Sequence, residues 1–103
     1  MESAARLNLL VLHTRDLHAC RDFYAGLGLR FAREQHGSGP AHYAAVLADG
    51  CVLELYPARE SGPSHPLLIG LAVPREVLDA RDLTPGAAPL RDPDGRAVAV
   101  TAV

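Results

Sequence analysis

The 103-residue chain predicts an α+β fold in which a strand–helix–strands unit is written twice, the second time in shortened form. Three observations carry this. The dense apolar run Leu9-Leu10-Val11-Leu12 is followed by apolar residues at three- and four-residue spacing (Leu17, Cys20, Phe23, Tyr24, Leu27), as when a buried strand feeds an amphipathic helix. Two strand-like runs then flank Asp49-Gly50, a hairpin signal. After a proline-rich break the order recurs, with an apolar run, a short helix, a loop and a last strand.

The first strand spans residues 6–13. Asp16 stands immediately before the helix, where its carboxylate can accept from a first-turn N–H, so it is the expected N-cap. Gly26 and Gly28 supply the helix stop. Residues 29–33 read as a short second strand, and His36-Gly37-Ser38-Gly39-Pro40 as a turn. The hairpin joins residues 42–48 to 51–56, and a two-residue Asp49-Gly50 turn pairs Leu47 with Val52, Ala45 with Glu54, and Tyr43 with Tyr56. Opposed residues share a sheet face, so Glu54 is expected beside Tyr43, Ala45, Leu47, Val52 and Tyr56, with Leu53 and Leu55 turned toward the helix.

Residues 57–66 hold three prolines and read as a linker. A strand over 67–73, a helix over 75–81 behind Pro74, a loop over 84–89 and a strand over 97–103 behind Asp92-Pro93-Asp94-Gly95 make the second, shorter copy. The length fits one domain, with its first unit at 6–57 and its second at 67–103.

Composition narrows the partners. A net charge of −2 with no basic cluster argues against nucleic acid, whose phosphates demand clustered cations. All ten basic residues are Arg, a bias better assigned to genome composition than to chemistry. No apolar run is long enough to cross a bilayer, and Met1-Glu2-Ser3 lacks the look of a signal peptide, so a cytoplasmic protein is expected. Cys20 and Cys51, without C-x-x-C spacing, read as reduced packing residues.

The run from Leu9 to Leu17, with Asp16-Leu17, then Phe23-Tyr24 and Leu27-Gly28-Leu29, resembles the opening of the vicinal-oxygen-chelate superfamily, which embraces glyoxalases, bleomycin-resistance proteins and extradiol dioxygenases. Val52-Leu53-Glu54-Leu55 is similar to the fourth strand of that superfamily's first module, and Asp92-Pro93-Asp94-Gly95-Arg96 to its penultimate turn. The resemblance implies two βαβββ modules, the second shortened here, forming a cupped mixed sheet with helices on the outer face, and a homodimer. It also implies four metal-ligand positions on the strands lining the cup. Carried over, these fall on Asn8, Glu54, Leu68 and Ala99. Two alkyl side chains, one amide and one carboxylate are a poor cage for a divalent ion, so neither a metal nor any other cofactor is expected.

The implied activity is metal-free capture of a small, partly apolar organic metabolite or antibiotic, with Asn8, Leu10, Tyr43, Ala45, Glu54, Tyr56 and Leu68 as the binding surface. One alternative is a natural-product tailoring enzyme, a metal-independent isomerase, lyase or cyclase with Glu54 as its acid/base group. A non-catalytic structural dimer is the other. Among the histidines, His13 is assigned to the helix side by parity with Leu9 and Val11, His18 to a helix and His36 to a turn. His42 and His65 are left outside the site.

Overall fold

The computed structural model describes residues 2–103. In chain order the elements are β1 (Leu9–Thr14), α1 (Leu17–Ala25), β2 (Phe31–Glu34), β3 (His42–Val46), β4 (Val52–Pro57), β5 (Leu68–Val73), α2 (Arg75–Ala80), β6 (Leu90–Arg91) and β7 (Ala97–Ala102). The strands divide into two sheets, ordered β1-β4-β3-β2 and β5-β7-β6. In each unit the first strand runs parallel to the last and the strand before the last is antiparallel to it. The second unit thus repeats the first with one strand fewer and a two-residue β6.

The start of α1 follows from Asp16, whose carboxylate accepts the Ala19 N–H at 3.0 Å. Its apolar stripe buries Cys20 and Tyr24 against Leu12, Leu53 and Leu55. Gly28, at φ 102°, takes the left-handed turn out of the helix, a conformation costly to any residue with a Cβ. One apolar cluster runs on from these residues to Ile69, Val73, Leu78, Val98 and Val100 of the second unit.

A buried polar clamp ties the units together. Arg96 is fully buried and donates to Asp92 Oδ2 at 2.6 Å, Asp94 Oδ2 at 2.8 Å, and the His13 and Ser64 carbonyls at 2.9 and 3.1 Å. The Tyr24 hydroxyl of α1 donates to the same Asp92 oxygen at 2.6 Å. The turn at 92–95 that the sequence marks is therefore also an inter-unit bolt, since Asp92 Oδ1 accepts the Asp94 and Arg96 N–H groups as well. Burial pushes the Cys20 thiol up to about 11, against the opposing pull of Arg96.

The hairpin departs from the expected register by one residue. Its pairs are Val46 with Val52, Ala45 with Leu53, Ala44 with Glu54 and Tyr43 with Leu55. The cause is the loop: Leu47 N–H bonds the Cys51 carbonyl at 2.8 Å and Gly50 N–H bonds the Leu47 carbonyl at 2.9 Å. The connection is therefore the three residues Ala48-Asp49-Gly50, with Gly50 at φ 91°, rather than the two-residue turn expected. A one-residue slip moves every side chain of a strand to the other face.

Candidate functional site

The face of the four-stranded sheet opposite α1 is fixed by the ladder. From β1 it carries Leu9, Val11 and His13, from β4 Val52, Glu54 and Tyr56, from β3 His42, Ala44 and Val46, and from β2 Ala32 and Glu34. Glu54 and Tyr56 therefore lie where the sequence places them. Tyr43 and Ala45 do not: both are buried on the helix face, where the Tyr43 hydroxyl accepts from Arg21 Nη1 at 3.0 Å and lies 3.3 Å from His18 Nδ1.

Strand β1 is likewise inverted relative to expectation. Leu10 and Leu12 pair with Leu53 and Leu55 on the helix side, and Asn8, just before the strand, shares their parity, so neither Asn8 nor Leu10 joins Glu54. His13 instead faces the open side, its ring 6.2 Å from that of Tyr56. With Leu9, Leu10, Val11 and Leu12 all apolar, the sequence offers no alternation from which to read the parity. In the second unit Leu68 and Ala99 share the face opposite the buried Ile69, Val98 and Val100, and Leu68 is exposed.

The residue that sequence reasoning left outside is at the centre of the face. His42 is 1% exposed and stacks on Tyr56 with ring centroids 4.1 Å apart and planes 11° from parallel. Its Nδ1 lies 3.2 Å from the Pro40 carbonyl. A carbonyl only accepts, so Nδ1 carries a proton, and Nε2 is the ring nitrogen turned toward the sheet. Around Nε2 stand Glu34 Oε1 at 3.3 Å, Glu54 Oε2 at 3.7 Å and the Tyr56 hydroxyl at 3.3 Å. Burial, with the Glu54 and Glu34 carboxylates, pushes the Tyr56 hydroxyl upward. The signal that would have found His42 is its pairing with Glu34 across the 35–41 turn, visible only once the strand ends are known.

Of the four inherited metal-ligand positions, only Glu54 presents a strong donor on this face. Leu68 and Ala99 offer none, and Asn8 lies on the opposite parity. The chain does not fit a metal at that set. The Glu54 side chain is 18% exposed on this face. A cleft of about 530 Å³ opens elsewhere, between Gly28 and Leu29, the hairpin residue Leu47 and Leu71 of β5. A second, of about 390 Å³, is lined by Arg6, Asn8 and Cys51.

A family model described as the Glyoxalase/Bleomycin resistance protein/Dioxygenase superfamily matches residues 6–84. No curated protein sequence matches the chain significantly. Among solved structures, the oxidase ChaP-H2 superposes with a TM-score of 0.67 at 17% identity, covering 95% of this chain and 93% of its own. A lactoylglutathione lyase from Agrobacterium tumefaciens gives 0.64 at 15% identity, covering 98% and 96%. TnmS3, an antibiotic binding protein from Streptomyces sp. CB03234, gives 0.63 at 16% identity, covering 99% and 98%. At these identities the likeness concerns the fold, which carries several activities.

Proposed function

This chain belongs to the Glyoxalase/Bleomycin resistance protein/Dioxygenase superfamily, and we propose that it captures a small, partly apolar organic molecule, a metabolite or antibiotic, without a metal at the superfamily's inherited ligand positions. The observation that carries this is the composition of the open sheet face. A polar centre made of Glu54, His42 and Tyr56 is set among Val11, Ala44 and Val52, an arrangement suited to a ligand with an apolar body and one donor or cationic group. The antibiotic-binding relative with the same fold supports the same reading.

Capture on an open face needs a second wall, and a second copy of the chain is the proposed one. Leu9, Val46 and Leu68 are 48%, 73% and 66% exposed, leaving apolar strand surface that a homodimer would cover. A cytoplasmic location is part of the proposal, supported by two free cysteines and by the absence, among the described residues, of any helix long and apolar enough to cross a membrane.

The test is mass spectrometry of the ligand that co-purifies with the protein, followed by calorimetry with that compound on wild type and Glu54→Gln. The variant keeps the shape and removes the charge, so affinity should fall by about 1–3 kcal/mol, the range for a hydrogen bond to a charged group. Unchanged affinity would remove Glu54 from the site. The second reading, a metal-independent isomerase, lyase or cyclase, is favoured by His42 Nε2 standing 3.7 Å from Glu54 Oε2, two groups able to relay a proton. Turnover abolished in Glu54→Gln with binding retained would select it.

A further inference from the structure

Beside the inherited ligand positions, the same sheet face carries a second and different set of donors. Glu34 Oε1, His36 Nε2 and His42 Nε2 come together at the β2–β3 turn, with their ligand atoms all within 4.8 Å of one another. We propose that Glu34, His36 and His42 bind a divalent transition-metal ion of the zinc type, at a site that uses none of the positions Asn8, Leu68 or Ala99.

The donor spacing suits a small ion. Zinc–nitrogen and zinc–oxygen bonds of about 2.0–2.2 Å in a tetrahedron put neighbouring donor atoms roughly 3.3–3.6 Å apart. Glu34 Oε1 lies 3.3 Å from His42 Nε2 and 3.6 Å from His36 Nε2. Both are tetrahedral edge lengths, and the remaining His36–His42 pair lies within 4.8 Å, a gap that movement of the exposed His36 side chain can close. Two imidazoles and one carboxylate leave a fourth corner for water or a ligand oxygen, the composition of open zinc sites.

His42 is itself buried to 1% and aimed into the cluster. The Nδ1 contact to the Pro40 carbonyl is the orienting partner that metal-bound histidines characteristically have, and it turns Nε2 toward the cluster. That nitrogen faces the Glu34 and Glu54 carboxylates at 3.3 and 3.7 Å, two acidic groups converging on one ligating atom, where a cation is favoured. The hydroxyl of Tyr56 lies 3.3 Å from the same nitrogen. Glu54, on β4, adds a carboxylate beside the ion.

The turn is also braced. His36 opens a turn closed by Gly39 N–H on its carbonyl at 3.0 Å, and the Gln35 side chain donates to the Gly39 carbonyl, also at 3.0 Å. The exposed His36 is therefore held near Glu34 by its backbone. The proposed site departs from the expectation of a metal-free chain without restoring the inherited ligands.

The test is calorimetric titration of chelator-stripped protein with zinc sulfate, and of the same protein with cobalt(II) read by visible absorption. One equivalent should bind, with the intense visible bands of low-coordinate cobalt. His36→Ala and Glu34→Gln alter partly or largely exposed side chains, so both should fold with unchanged urea midpoints. Each should weaken zinc binding by at least about 100-fold, the upper end of what losing even an outer-shell partner costs. His18→Ala and His65→Ala should bind as wild type does. Failure of the wild type to bind zinc overturns the proposal, as does binding that His36→Ala and Glu34→Gln leave intact.

Discussion

Replacing Asp92 by Asn should cost more stability than almost any other single-atom change in this protein. Asp92 meets four donors: its Oδ1 accepts from the Asp94 and Arg96 N–H groups, and its Oδ2 from Arg96 Nε and the Tyr24 hydroxyl. An amide placed here in either orientation points its NH₂ at two donors, and Arg96 stays buried without its closest counter-charge. Removing one partner of a buried ion pair costs about 3–5 kcal/mol, a large share of the roughly 5–15 kcal/mol that holds a domain folded. Urea unfolding at neutral pH should show the midpoint falling by at least about 1 M, given slopes of about 1–3 kcal/mol per molar. The pH dependence gives a second reading. Burial alone would raise the Asp92 carboxyl, but the Tyr24 hydroxyl and Arg96 hold it below its usual value. Its contribution is therefore present above the unfolded carboxyl pKa of about 3.9 and lost as pH falls through the lower folded value. The gap between wild type and Asp92→Asn should accordingly narrow in acid. A loss below about 1 kcal/mol at neutral pH, the worth of one ordinary hydrogen bond, would refute the clamp.

Tyr24→Phe should cost about 1.5–3 kcal/mol, the worth of one hydrogen bond to a charged group, and should be non-additive with Asp92→Asn in a double-mutant cycle because both touch one oxygen. Cys20, fully buried and with its thiol pushed up to about 11, should resist a disulfide reagent at pH near 8 and react only after unfolding; fast labelling of native protein would contradict its placement. Gly50→Ala should destabilise by about 1–2 kcal/mol, because an L-residue is strained at φ 91°, while a neutral result would undo the three-residue loop. Light scattering at micromolar concentration should give a dimer's mass, and a monomer would remove the second wall proposed for capture.

Much of the fold was legible because the relevant signals are local. Asp16 caps α1 as its chemistry dictates, and the apolar spacing from Leu17 to Leu27 finds the helix face. Asp92-Pro93-Asp94-Gly95 marks a turn, although nothing local reveals that its carboxylates reach Tyr24 and Arg96 in space. The strand faces were not legible. Four consecutive apolar residues in β1 carry no parity, and Asp49-Gly50 fits either a two-residue turn or the last two residues of a three-residue loop. The first choice puts Tyr43 beside Glu54 and the second puts His42 there, so one residue of loop length decides which ring faces the carboxylate.

That single residue also changes the chemistry. With Tyr43 and Ala45 on the open face, Glu54 would be a lone carboxylate among neutral side chains, and its partner would have to come from a ligand. In the observed register Glu54 shares its face with His42, whose Nε2 also meets Glu34, paired directly across from it on β2. The polar centre thus extends from Glu54 and Tyr56 on β4 to His42 and Glu34 at the β2–β3 edge of the same sheet. Loss of donors at Leu68 and Ala99 and convergence of donors at Glu34, His36 and His42 are separate facts, the first readable from sequence and the second only from register. The two variants that divide them are Glu54→Gln and His36→Ala. Organic-ligand capture resting on Glu54 should respond to the first, cation binding at the turn should respond most to the second, and a shared response would place ion and ligand in one site.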